Sequence, residues 1–139
     1  MISKKVGFAT FAVLFASFSL SAATTIIVHP SNSATLDEKT VQRIFLGKEK
    51  KFSDGSETIP VNQSADSTVR ADFDENVLGR SSSQVSAYWS KLVFTGKGVP
   101  PKEVANDAEV IDLISKNPSA IGYVDSSSVT DAVKAVSLN

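Results

Sequence analysis

A run of hydroxyl side chains and one arginine lies where a predicted strand passes into a predicted helix. Ser64, Ser67 and Thr68 come just after the apolar stretch that ends at Asn62, and Arg70 follows. The backbone N–H groups of a first helical turn lack partners within the helix and carry partial positive charge. Hydroxyl groups beside such a terminus can complete a binding site for an oxyanion. The spacing therefore predicts an anion site at this turn, with Arg70 folding back to add charge.

The same residues also fit a purely structural role. Ser64 can cap the helix through its side-chain oxygen, and Arg70 can pair along the helix with Asp66 or Asp74. Asp66, at the same mouth, would repel a phosphate dianion. The sequence leaves the anion site and the capped helix open as alternatives.

Ser31 and Asn32 form a second candidate, in the polar turn after the first predicted strand. Ligands of open α/β sheets bind beyond the carboxyl ends of the strands, and this turn is predicted to lie there. An ordinary polar turn is the alternative. The segment Ser126–Ser128 follows a later predicted strand and has the same two interpretations.

The composition excludes several other kinds of chemistry. The chain has no cysteine, so disulfides, thiol catalysis and thiolate metal sites are excluded. His29 is the single histidine, which excludes a histidine-rich metal site, and the Gly-x-Ser-x-Gly turn of serine hydrolases does not occur. The phosphate-cradling Gly-Lys-Ser/Thr motif does not occur. We therefore predict a protein that is not an enzyme and that uses no cofactor and no metal.

The charge balance argues against nucleic acid as a partner. Without residues 1–23 the chain carries 12 basic and 15 acidic side chains. Binding to a phosphate backbone normally needs clustered positive charge. The basic cluster at Lys48, Lys50 and Lys51 contains Glu49 and is predicted to be a solvated loop.

Hydrophobic periodicity predicts the elements that must position these residues. Apolar, largely β-branched runs predict strands at Thr25–Val28, Ile59–Asn62, Ile121–Val124 and Val133–Leu138. Apolar stripes at helical spacing predict helices over about 35–46, 66–78, 81–93 and 107–116. The order is β-α-β-α-α-α-β-β, which is typical of an α/β fold with helices on the faces of a mixed sheet. Residues 24–139 are predicted to form one domain.

Local signals mark the ends of two of these helices. Thr35 and Glu38 have the spacing of a capping box at the start of the first helix, and Gly47 supplies a left-handed stop. Ser81 and Gln84 repeat the capping-box spacing at the third helix.

The third helix carries an aromatic pair. Trp89 falls on its apolar stripe with Val85 and Leu92, which favours a core position over a platform for stacking sugars. The following segment, Phe94–Lys102, has two glycines and two prolines and is predicted to be a loop.

The first 23 residues are predicted to be a cleaved signal peptide. Lys4 and Lys5 form a positive n-region, Val6–Leu20 forms an apolar core, and Ser21-Ala22-Ala23 offers small residues for cleavage. A spanning helix needs about 20 apolar residues, more than this core supplies. An uncleaved membrane anchor is the alternative. The mature protein is expected to be soluble in the periplasm.

Three segments match a known pattern in the right order. The first helix ends in Ile-Phe-Leu-Gly-Lys at 44–48, and Pro-Ser-Ala-Ile-Gly-Tyr-Val-Asp stands at 118–125. Tyr88-Trp89 and the segment Phe94–Pro101 lie between them. Together they resemble periplasmic phosphate-binding proteins, the type II solute receptors of ABC transporters, and in particular their short single-lobe relatives. The resemblance runs from about 26 to 136 and implies a single lobe with a mixed sheet flanked by helices.

The resemblance implies a periplasmic solute-binding-like protein that binds phosphate or a similar oxyanion for ABC-type uptake or sensing. It places the anion at the turn already described, where Ser64 and Ser67 keep the family's positions. The family's arginine falls on Gln63 here, and its aspartate falls on Ala65. Arg70 stands where the short relatives also place an arginine.

The replacement of the family's arginine by Gln63 and of its aspartate by Ala65 supports an alternative function, which is protein docking and not solute binding. In that alternative the lobe has lost anion binding and serves as an accessory module that docks on a membrane sensor, transporter or outer-membrane partner. A single lobe presents only half of a cleft. Two copies could rebuild the cleft as a homodimer.

We expect exported protein to begin near Thr24, because small residues precede that position after a short apolar core. Intact-mass measurement of protein recovered from the periplasm checks this. A mass that retains residues 1–23, or recovery only in the membrane fraction, would contradict it.

Overall fold

The computed structural model describes residues 23–138, so the predicted signal peptide lies almost entirely outside the described residues. The strands are β1 (Thr24–Val28), β2 (Ile59–Gln63), β3 (Lys102–Val104), β4 (Ala120–Asp125) and β5 (Lys134–Val136). The helices are α1 (Glu38–Phe45), α2 (Thr68–Phe73), α3 (Ser82–Phe94) and α4 (Asp107–Ser115). A π-helical turn, Asp74–Leu78, continues α2, and a 3₁₀ turn, Ser126–Ser128, follows β4.

The five strands form one mixed sheet in the order β3-β2-β4-β1-β5. β2 pairs in parallel with both β3 and β4, whereas β1 pairs antiparallel with both β4 and β5. Helices cover the sheet on both faces, and the predicted α/β fold with a mixed sheet is confirmed.

The direction of β1 decides which turns share an edge of the sheet. In its antiparallel register with β4, Thr24 lies opposite Asp125 and Val28 lies opposite Ile121. The carboxyl ends of β2, β3 and β4 therefore meet at one edge, while β1 ends at the other edge.

The structure corrects one helix cap and confirms another. Asp37, not Thr35, caps α1, because its Oδ1 accepts a hydrogen bond of 2.7 Å from the backbone N–H of Thr40. A carboxylate is a strong N-cap acceptor, and it stands two residues closer to the helix than the threonine. The capping box at Ser81 and Gln84 is present with both of its hydrogen bonds.

A short strand was missed at the end of the predicted loop. Strand β3 begins at Lys102, follows two prolines and has only three residues. Its hydrogen bonds come from β2, more than 35 positions earlier in the sequence, so no local pattern announces it. The observed order is β-α-β-α-α-β-α-β-β.

The sheet separates two hydrophobic clusters. The larger one packs α1, α2 and α3 against one face, with Phe45, Phe73, Trp89 and Tyr123 among its members. The smaller one packs α4 against the other face. Trp89 is buried beside Val85, with Leu92 packed against the same cluster, so its predicted core position is confirmed.

Gly47 ends α1 in a left-handed conformation beneath Trp89. Its φ of +73° lies in the region that favours glycine, which confirms the predicted stop. A Cβ atom built on Gly47 would lie 2.7 Å from Cη2 of the Trp89 ring. The absence of a side chain is therefore required both by the backbone and by the packing of the indole.

Replacing Gly47 with alanine should destabilise the fold more than the same change at Gly55. Gly55 shares the positive φ, at +86°, but has nothing within 4 Å of its built Cβ. Overpacking typically costs about 1–3 kcal/mol, so Gly47→Ala should lower the free energy of unfolding by about that much beyond Gly55→Ala. Urea denaturation of both variants measures the difference. An equal loss of unfolding free energy in the two variants would show that the Trp89 ring does not pack against Gly47.

Candidate functional site

Two helix N-termini open into one groove at the edge where β2, β3 and β4 end. Ser67 caps α2 and Asn106 caps α4, and both helices start just after parallel strands. The groove is lined by residues of both termini together with Gln63 and Ser128. The predicted turn at 64–68 therefore forms half of this groove, and the start of α4 forms the other half.

The caps leave several backbone donors at the groove without partners. The N–H of Arg70 bonds to Ser67 Oγ, and the N–H of Glu109 bonds to Asn106 Oδ1. The N–H groups of Thr68, Val69, Asp107 and Ala108 make no hydrogen bond within residues 23–138. First-turn N–H groups carry partial positive charge, so these four donors suit acceptor oxygens of a ligand.

The predicted hydroxyls are brought together, but two of them already have partners. Ser64 Oγ donates to Asp66 Oδ1 at 2.6 Å, and Ser67 Oγ donates to Gln63 Oε1 at 2.8 Å. The hydrogen bond from Ser64 lowers the pKa of the Asp66 carboxyl, which is therefore ionised at neutral pH. Thr68 is exposed, and its hydroxyl makes no hydrogen bond to another described residue. An incoming oxyanion would have to replace the serine contacts.

Arg70 does not reach the hydroxyls with its guanidinium. The side chain is 3% exposed, and its Nη1 donates to the carbonyl of Gln63 at 3.1 Å and to Glu103 at 2.7 Å. Its Nε lies 3.4 Å from Asp74 Oδ2. The guanidinium lines a different recess, beside Trp89. The pairing with Asp74 is one of the two predicted for a structural role, and the expected fold back onto the groove is not observed.

Sequence reasoning missed a polar network across the groove. Gln63 Nε2 donates to Asp107 Oδ1 at 2.7 Å and to the carbonyl of Tyr123 at 3.1 Å. The other oxygen of Asp107 accepts from Ser128 Oγ at 2.7 Å and from the N–H of Asp125 at 3.2 Å. The one available signal was Gln63 itself, which stands where the resembled family has an arginine.

The groove combines positive and negative features. Four free N–H groups and the Thr68 hydroxyl can donate to a ligand, whereas the Asp66 and Asp107 carboxylates can only accept. No lysine or arginine lines the described groove. The arrangement suits a ligand that carries both acceptor oxygens and at least one acidic hydrogen.

Ser31 and Asn32 lie at the opposite edge of the sheet, because β1 runs antiparallel to β4. Asn32 Oδ1 accepts from the N–H of Ala34 at 2.8 Å, and Ser31 Oγ lies 2.7 Å from His29 Nδ1. The structure does not bring them together with Ser64 and Ser67. The Ser126–Ser128 turn, by contrast, does reach the groove through Ser128.

Residues 23–138 show neither a candidate metal site nor a membrane-spanning helix. No group of three or more histidine, aspartate or glutamate residues is arranged to hold a metal ion there. None of the helices in that range is long and apolar enough to cross a membrane.

Comparison with known proteins identifies the fold. No protein-family model matches the chain, and no curated protein matches it. An ABC-type phosphate transport receptor from Vibrio cholerae superimposes with a TM-score of 0.65 at 20% identity, over 83% of this chain and 45% of that one. This chain has the fold of one lobe of a type II periplasmic binding protein.

Two further solved structures agree with this lobe. A phosphate ABC transporter substrate-binding protein from Clostridium perfringens, solved with bound phosphate, gives a TM-score of 0.66 at 21% identity and covers 83% of this chain and 44% of that one. PstS from Borrelia burgdorferi gives 0.58 at 16% identity, over 84% and 47%. The lobe spans less than half the length of each of these three structures.

The carboxyl of Asp74 is buried beside the guanidinium of Arg70. It is fully buried, its Oδ2 bonds to Arg70 and to Ser82, and its Oδ1 has no partner among the described residues. Burial raises the pKa of the carboxyl, and the hydrogen bond from Ser82 and the charge of Arg70 only partly offset this. The unfolded chain has the ordinary carboxyl pKa of 3.8, and the folded protein has the raised pKa. At pH values in the window between these two, the folded state therefore binds more protons than the unfolded state.

Lowering the pH through that window should increase the stability that Asp74 contributes, because protonation removes the cost of a buried charge. The free energy of unfolding of the wild type, relative to Asp74→Asn, should rise as the pH falls from neutrality. Urea denaturation across a pH series measures it.

Asp54→Asn is the matched control, since hydrogen bonds from Ser56 lower the pKa of the exposed Asp54. The free energy of unfolding of the wild type, relative to Asp54→Asn, should fall as the pH is lowered. A flat profile for Asp74→Asn would contradict the raised pKa.

Proposed function

We propose that this protein is a periplasmic solute-binding-like protein that binds phosphate or a similar oxyanion in the groove between α2 and α4. The observation that carries the proposal is the convergence of two helix N-termini, with four unpartnered N–H groups, on one groove. Backbone N–H groups at helix N-termini are a recurrent binding site for phosphate groups. The fold shared with phosphate receptors supports the same ligand class.

The two carboxylates beside the donors give the groove a preference among oxyanions. Hydrogen phosphate keeps a proton at neutral pH and can donate it to Asp66 or Asp107, whereas sulfate has no proton to donate. A carboxylate that faces an unprotonated oxyanion oxygen is repelled by it. The groove should therefore prefer phosphate to sulfate.

The shared fold also supports a role beside an ABC-type transporter or a sensor, in the periplasm. The structural neighbours are described as components of phosphate transport. A lobe without its counterpart leaves one side of the ligand in water, where charge-assisted bonds are weaker. Binding by this lobe alone is expected to be weak, and two copies facing each other would strengthen it.

A second candidate function is a docking module in which anion binding is lost. It is favoured by the position of Arg70, whose guanidinium is occupied by Glu103, Asp74 and a backbone carbonyl. The groove then has no side-chain cation, and Asp66 opposes a dianion.

Phosphate should raise the melting temperature, since a ligand that binds only the folded state stabilises it by about 2.7 kcal/mol at 100 times its dissociation constant. Ser67→Ala removes a hydroxyl at the groove and should weaken phosphate binding about tenfold or more, because a hydrogen bond to a charged group contributes about 1.5–3 kcal/mol. Isothermal titration of phosphate and of sulfate measures both effects.

Ser81→Ala is the matched control, because it removes the N-cap of α3 without touching the groove. Each serine-to-alanine change should cost about 1 kcal/mol of stability through the lost cap, but only the change at Ser67 should alter binding. No binding of phosphate by the wild type at millimolar concentration would leave the docking module as the function.

A further inference from the structure

Three large apolar side chains are exposed to solvent at and just after the end of α3. Val93 is 53% exposed, Phe94 is 92% exposed and Val99 is 88% exposed. Single exposed apolar residues are common on protein surfaces, whereas a contiguous group marks an interaction site. Residues 93–99 are called the α3 tip below.

The α3 tip borders three surface recesses that meet at Trp89. Trp89 lines all three, and Val99 and Pro101 each line two of them. Each recess has a volume between about 440 and 480 Å³, within the range of small ligand and side-chain pockets. Together they form one depression, called the Trp89 depression, which shares no lining residue with the anion groove.

A buried polar atom at the depression lacks a partner. Trp89 is 7% exposed, and its indole N–H makes no hydrogen bond to any described residue. Buried N–H groups are nearly always paired. The indole therefore has an unsatisfied donor beneath the surface of the depression.

The charges around the depression differ in sign from the rest of the protein. Three lysines line it (Lys50, Lys51 and Lys97), and three more lie next to its walls in the sequence (Lys48, Lys91 and Lys102). None of the six forms an ion pair within residues 23–138. Three glutamates line the depression, and one of them, Glu103, is already paired with Arg70. Arg70 itself also lines the depression, and the other described residues carry five basic and twelve acidic side chains.

We propose that the α3 tip and the Trp89 depression bind an acidic peptide segment of a partner protein, with an apolar side chain of the segment seated against Trp89. The lysines would attract the carboxylates of the segment, and the exposed side chains of the tip would cover its apolar residues. This interaction lies beyond anion binding, because it uses other residues on another part of the molecule.

The shape of the surface favours a peptide over a membrane. Lysines around protruding apolar side chains would also suit an anionic lipid surface. The surface of a bilayer, however, would leave the recesses unfilled, whereas a peptide can place side chains in them. A basic or neutral segment would leave the lysines uncompensated.

Selection from a displayed library of random peptides of about twelve residues tests the proposal without a known partner, since short linear segments of this size carry most peptide recognition modes. The bait is the wild-type protein, and the counter-bait is Phe94→Ser combined with Val99→Ser. Both changes are at exposed positions, so the melting temperature should stay unchanged. We expect enrichment, on the wild type alone, of peptides that combine aspartate or glutamate with leucine, isoleucine or phenylalanine.

An enriched peptide is then synthesised and titrated. The chain has a single tryptophan, so a change in its fluorescence reports occupation of the depression directly. The serine double variant should bind about tenfold more weakly or worse, as expected when central apolar contacts are lost. Lys97→Glu should weaken binding, and binding should weaken with salt, whereas the matched change Lys39→Glu on α1 should have no effect.

Several results would overturn the proposal. In the selection, no peptide would be enriched over the counter-bait, or the enriched peptides would be basic or uncharged. In the titration, a peptide would bind and leave the fluorescence of Trp89 unchanged. Binding of the wild type to phosphatidylglycerol vesicles, with no peptide enriched, would assign the surface to a membrane instead. A wild-type dimer that Phe94→Ser separates would assign it to a second copy of this chain.

Discussion

The buried phenol of Tyr123 joins the elements that position the groove. Its hydroxyl donates to Asn62 Oδ1 and accepts from the N–H of Gln63, so it holds the last two residues of β2 beside β4. Its ring stacks on Phe73 of α2, with centroids 3.9 Å apart. Burial raises the pKa of the phenol far above its ordinary value, which keeps the hydroxyl protonated at all physiological pH values. One side chain thereby fixes β2, β4 and α2 relative to one another.

The side chain of Gln63 lies on the other face of β2, where it contacts both sides of the groove. Successive residues of a strand point to opposite faces, so Asn62 faces Tyr123 while the Gln63 side chain reaches Asp107 and Ser67. The two helix N-termini are thus linked through one glutamine. Arg70 is committed elsewhere, as a buried cation that needs both Asp74 and Glu103. Breaking such a buried pair leaves an uncompensated charge, which explains why the arginine serves the fold and not the groove.

Local signals in the sequence predicted most of the elements, because caps, stops and apolar stripes act over three to five residues. The capping box at Ser81, the stop at Gly47 and the core position of Trp89 were all correct. Features that depend on contacts between distant parts of the sequence could not be predicted from these local signals. The direction of β1, the short strand β3 and the bond between Gln63 and Asp107 depend on partners 35 or more positions away. The Ser31 turn was assigned to the wrong edge for that reason, because a mixed sheet was predicted but the sequence did not show that β1 is the strand that runs antiparallel.

The two surfaces divide the molecule by charge and chemistry. The groove offers backbone donors beside carboxylates, and the Trp89 depression offers apolar walls beside lysines. The central claim is that the helix N-termini, and not the lysines, receive phosphate. A phosphate titration followed by backbone amide NMR tests this most directly. The account predicts that the largest shifts occur at Thr68, Val69, Asp107 and Ala108. Shifts confined to Lys48–Lys51, or no shifts at all, would contradict it.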